Sequence, residues 1–141
     1  MTQTLKEQLV GTWRLLKYTL QDEDGKDYYP LVEDCRGFLI YTADGYVSAQ
    51  LMASGRPAYQ SGDLHEGTQE EMAAAAEGYI AYAGKYSVDG ENKILKHQMD
   101  VSMNPTWLDQ VQERYLEIEG NKVTITASVN TAVLVWEKAT A

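Results

Sequence analysis

Two runs of β-favouring residues, Gly37-Phe38-Leu39-Ile40-Tyr41 and Tyr46-Val47-Ser48-Ala49-Gln50-Leu51-Met52, are joined through Asp44-Gly45. An Asp-Gly pair between alternating apolar runs is a strong local signal for an antiparallel hairpin. Similar runs continue to the C-terminus. Strands are predicted at 10–20, 36–42, 46–52, 79–88, 94–103, 110–118, 121–127 and 132–138, separated by turn residues at Asp24-Gly25, Asp89-Gly90-Glu91-Asn92 and Gly120-Asn121. Eight antiparallel strands are enough to close a small barrel around side chains or one ligand. The expected fold is therefore all-β: an eight-stranded antiparallel up-and-down barrel forming a single domain over 1–141.

Helical signals are few. Thr4 with Glu7 has the spacing of a capping box, so residues 4–9 are expected to form a short helical turn that plugs one barrel end. The same spacing at Thr68 and Glu71 opens a helix over 69–77, stopped by Gly78, between the third and fourth predicted strands. The segment between Met52 and Thr68 is too long for a hairpin connection. Together with the helix, it is expected to form a flap over the open end or a helix packed on the outer wall.

With 141 residues and 44% hydrophobic residues, the chain has enough material for one core or one enclosed cavity. A formal net charge of −9 opposes phosphate backbones and anionic lipid surfaces, so neither nucleic acid nor membrane is an expected partner. Neither a secretory leader nor a bilayer-spanning apolar run is recognisable, and a cytoplasmic monomer or weak homodimer is expected. Cys35 is the only cysteine, which rules out an internal disulfide or a zinc site built on several thiolates. The two histidines, His65 and His97, fall on different elements and no phosphate-binding or dinucleotide fingerprint occurs. No metal and no cofactor are expected.

Strand alternation selects the candidate site residues. Leu95, His97, Met99, Val101 and Met103 share one face of the fifth predicted strand, which carries His97 inward with an apolar set. In the sixth, Leu116 and Ile118 belong inside and draw Gln110, Gln112 and Arg114 inward with them. A buried polar group left unpaired costs about 1–3 kcal/mol, so these groups need partners. Either a ligand or other wall groups can serve, among them Tyr18, Tyr41, Tyr46 and Tyr82; at the closed end Arg114 can instead cover the indole of Trp13. Ten tyrosines against one phenylalanine suit a cavity with apolar walls and polar tips, although tyrosine also favours strands in its own right. His97, Gln110, Gln112, Arg114, Met99, Tyr82 and Tyr46 are the candidate ligand-binding residues. His97 and Arg114 are also candidate catalytic residues, the first for proton transfer and the second to hold an enolate or carboxylate.

Gly11-Thr12-Trp13-Arg14-Leu15, the hairpin 37–52, Gly78-Tyr79-Ile80-Ala81-Tyr82-Ala83-Gly84-Lys85-Tyr86, Gln112-Glu113-Arg114-Tyr115 and Leu134-Val135-Trp136-Glu137-Lys138 together resemble the lipocalin-like domain family of the calycin group. The resemblance runs over nearly the whole chain. It implies an eight-stranded barrel with a cup-shaped cavity for a small, mainly apolar molecule, and it includes relatives similar to isomerases and cyclases of secondary metabolism. The expected function is binding of a small hydrophobic or aromatic molecule. The alternative is a cofactor-independent isomerase or cyclase acting on a small polyketide-like or carbonyl substrate.

Overall fold

The structure is a computed structural model and describes residues 3–127 and 132–139. Near the N-terminus Thr4 caps helix α1 (Leu5–Leu9): its side chain accepts from Glu7 N, and the Glu7 side chain accepts from Thr4 N. This reciprocal cap satisfies two of the helix's otherwise unpaired N–H groups. The strands that follow are β1 (Gly11–Gln21), β2 (Asp27–Tyr28), β3 (Arg36–Tyr41), β4 (Tyr46–Met52), β5 (Tyr79–Asp89), β6 (Ile94–Gln98), β7 (Val101–Ser102), β8 (Val111–Glu119), β9 (Lys122–Ala127) and β10 (Ala132–Lys138). Helix α2 (Gln69–Glu77) lies between β4 and β5, and a 3-10 turn spans Pro105–Trp107.

Antiparallel neighbours run β10-β9-β8-β6-β5-β4-β3-β1, and pairing of β1 with β10 closes the ring. The eight long strands make the expected barrel. Closure removes the unpaired strand edges that an open sheet would present. In the β3–β4 connection, Gly45 takes φ +100° and donates its N–H to Thr42 O, a conformation that an L side chain adopts only under strain.

Two bulges reset the inward-facing phase. In β1, Leu15 pairs with Trp136 and Lys17 with Val135, so Leu16 is the extra residue. Trp13 and Leu15 face the core before it, and Tyr18 and Leu20 face the cavity after it. The second bulge corrects the expected single strand over 94–103. Tyr86 pairs with His97, whereas Tyr82 pairs with Ser102, so one extra residue lies between β6 and β7. Leu95, His97 and Met99 are buried as the alternation requires, but Val101 and Met103 are exposed. A one-residue bulge exchanges the faces of everything beyond it.

The core gathers at one end. Leu9 is fully buried, and its carbonyl accepts the indole N–H of Trp13 at 2.7 Å. Lys138 Nζ lies 4.7 Å from the Trp13 ring centroid and donates to Val10 O at 2.7 Å. The cation over Trp13 is thus Lys138 rather than Arg114. With α1 set against β5 and β8, this end of the barrel is plugged.

Candidate functional site

At the other end the barrel encloses a cavity of about 370 Å³, within the range of small-molecule sites. Leu39, Leu51, Ile125, Leu134 and Trp136 give it apolar walls, and Tyr18, Tyr82, His97, Gln112 and Arg114 supply polar atoms. A larger hollow of about 690 Å³ lies on the outer faces of β1, β3 and β4, bordered by Arg14, Arg36, Phe38 and Ile40. We take the inner cavity as the candidate site, because several polar side chains converge there within apolar walls.

Cross-strand register brings these groups together. His97 stands directly opposite Gln112, and Leu95 opposite Arg114, so the imidazole and the guanidinium come from adjacent positions on β6 and β8. His97 is 1% exposed and lies between two tyrosines: Tyr41 Oη is 2.7 Å from Nε2, and Tyr82 Oη is 3.3 Å from Nδ1. Burial, reinforced by the positive charge of Arg114, lowers its pKa to about 3. At neutral pH the imidazole is uncharged. Burial likewise raises Tyr82 to about 12, and it raises Tyr41 and Tyr18 above the ordinary tyrosine value.

Arg114 is half-buried. It donates to Gln112 Oε1 at 3.1 Å and to the carbonyl of Glu113 at 3.0 Å; both acceptors are on its own strand. Gln112 in turn donates to Gln110 Oε1 at 2.6 Å, and Gln110 donates to Thr106 O at 2.9 Å. This row of amides orients the guanidinium along the cavity wall. Among the described residues no carboxylate pairs with Arg114; the one ion pair joins Lys96 to Glu113 on the outside.

Most of the expected site residues line this cavity: His97, Gln110, Gln112, Arg114 and Tyr82. Two do not. Tyr46 is 47% exposed, because the β3–β4 turn places it on the outer phase of β4, where Val47 rather than Tyr46 faces the core. Met99 is fully buried but lies outside the lining, beside the bulge where its N–H donates to Gln110 O. Tyr18, expected as a wall group but not among the ligand-binding residues, also lines the cavity, turned inward by the Leu16 bulge, and so does Trp136, which sequence reasoning missed as a cavity group. The Nε1–H of Trp136 is buried with no acceptor among the described residues.

A second hollow adjoins the cavity and shares Tyr18, Ile80 and Trp107 with it. It runs between the C-terminal end of α2 and the 104–107 segment. Trp107 meets Tyr82 edge to face, with ring centroids 5.8 Å apart. The helix α2 itself buries no residue fully.

The family model described as a lipocalin-like domain matches residues 10–140, which is nearly the whole chain. The chain belongs to the lipocalin-like domain family. Among solved structures, a lipocalin-like protein from Bacteroides uniformis aligns with a TM-score of 0.53 at 16% identity, covering 94% of this chain and 99% of the other. That likeness is one of fold. Among curated proteins, the 4'-hydroxy-3'-methoxypropiophenone carrier protein ppsC of Aspergillus oryzae is 32% identical over 81 residues, covering 53% of this chain and 73% of that protein. This lipocalin-like barrel carries no helix long and apolar enough to cross a membrane among its described residues.

Proposed function

We propose that this lipocalin-like protein binds and carries a small, largely apolar aromatic molecule bearing a few oxygen atoms. The observation that carries the proposal is the inner cavity, which combines apolar walls with an oriented arginine that has no carboxylate partner among the described residues. A barrel filled only for stability gains little from such a group, since withdrawing a charge part-way from water without an opposite charge beside it is costly. The related carrier of an aryl ketone in Aspergillus oryzae supports the same class of cargo.

Acid–base catalysis is the weaker alternative. A general base at neutral pH needs a pKa near the working pH, whereas His97 resists protonation down to about 3 and has both nitrogens engaged by tyrosines. The test is native mass spectrometry of the purified chain, followed by titration with 4'-hydroxy-3'-methoxypropiophenone. A retained or added small molecule bound one to one is the expected result. A barrel that binds neither that ketone nor anything from its host would overturn the proposal.

A further inference from the structure

The hydrogen-bonding polarity of the cavity narrows the ligand further. Tyr41 Oη is buried, and among the described residues its sole partner is His97 Nε2. A hydroxyl proton with no other acceptor must be given to that nitrogen, since leaving it unpaired would forfeit a buried hydrogen bond. The neutral imidazole then carries its own proton on Nδ1 and donates it to Tyr82 Oη. Tyr82, its oxygen already accepting, is left with a free O–H beside the cavity. Arg114 also has N–H groups beyond those bonded to Gln112 and Glu113. Other titratable neighbours do not alter the balance. Tyr18, Tyr41 and Tyr82 stay protonated and His97 stays neutral at pH 7. Among the described lining residues Arg114 is the one charged group.

From this surplus of donors around a single cation we infer that the cavity takes its ligand as an anion: an aromatic body with one ionised oxygen, phenolate or carboxylate, held by the Arg114 guanidinium and the Tyr82 hydroxyl. The inference rests on the proposed binding function and specifies its ligand. Bonds from charged or polar donors to an anionic oxygen are about twice as strong as neutral ones, and within a partly closed cavity they are little weakened by water. The −9 net charge of the protein repels anions in general, so selection falls to the local arrangement. His97 acts as a positioning residue that fixes which way Tyr82 donates.

Three probes test this: 4'-hydroxy-3'-methoxypropiophenone, its methyl ether, which cannot ionise, and a dimethoxybenzoate. A para-acyl group lowers a phenol's pKa below the ordinary tyrosine value of about 10, so its ionisation can be followed by the red-shifted absorption of the phenolate. Expected for the full chain is phenolate absorption in the bound phenol at a pH where the free phenol is neutral. The phenol, the benzoate or both should bind at least about tenfold more tightly than the ether, a difference of about 1.4 kcal/mol. Selection of the benzoate alone would support the inference and identify carboxylate as its form. Arg114→Met should abolish the preference. Tyr82→Phe, which keeps the ring, should reduce it by about threefold to tenfold. If the ether binds as tightly as the others and the bound phenol keeps its neutral spectrum, the inference falls and the binding function stands. If a folded chain binds none of the three and retains nothing from its host, both fall.

Discussion

Arg114 and His97 reach the same cavity with opposite consequences for stability. Arg114 bonds only within its own strand and to no acid among the described residues, so it does little to hold the barrel together. Arg114→Leu is expected to shift the thermal midpoint by no more than a few degrees while weakening ligand uptake about tenfold or more, measured by melting and by titration. A large fall in melting temperature with unchanged binding would make it structural. His97 behaves differently. The unfolded chain takes up its proton near pH 6.5, whereas the folded protein refuses it until about pH 3. Protons therefore favour unfolding throughout that window, and stability falls as the pH drops from about 6.5 towards 3, at up to about 1.4 kcal/mol per pH unit. His97→Asn should lower stability at pH 7 by removing the bonds to Tyr41 and Tyr82, and it should flatten this acid slope in denaturant titrations run across the window.

At the level of elements, the bulges and the helix make separate predictions. A Cβ on Gly84 would come within 1.9 Å of Gln98 O, a backbone atom of the β6–β7 bulge. Gly84→Ala is thus expected to destabilise by about 2 kcal/mol or more, because neither strand can move without breaking its ladder; chemical denaturation reads this directly. Helix α2 is held largely by its Thr68 and Glu71 cap, the bond from Gln60 N to Glu71 and the bond from Arg56 to Ala75 O, and it buries no residue fully. Elements of this kind open at low free energy. Amide exchange over 53–77 is expected to be fast in the empty protein and slow with ligand bound, if the hollow beside Trp107 is the entrance. Exchange in β6 and β8 should change far less. Equal protection with and without a saturating ligand would make α2 a static part of the wall.

Over the whole molecule, the two barrel ends divide the work. One is closed by α1, Trp13 and Lys138; the other keeps space beneath Trp107. Leu9→Ala removes a fully buried side chain from the plug, and the expected cost is about 2–5 kcal/mol. Because Leu9 lies far from the cavity mouth and outside its lining, ligand affinity at temperatures where the variant is folded should stay within about twofold, about 0.4 kcal/mol. Loss of binding in a fully folded variant would show that the two ends are coupled.

The hairpin through Asp44-Gly45, the positions of most of the long strands, both helix caps and the inward phase of Gln112, Arg114 and His97 were legible in the linear chain. Each depends on neighbours within a few residues: alternation for faces, side-chain to backbone bonds for caps, and the left-handed tolerance of glycine for turns. What the tertiary structure alone decided lay beyond that range. The bulges at Leu16 and between β6 and β7 arise from how strands register across the ring, so Tyr18 turned inward and Val101 and Met103 outward against simple alternation. Pairing His97 with Tyr41, 56 residues earlier in the chain, fixes the proton on the imidazole and hence the donor character of the cavity. No local rule specifies that contact, since it exists only once closure of the barrel brings β3, β5, β6 and β8 around one space.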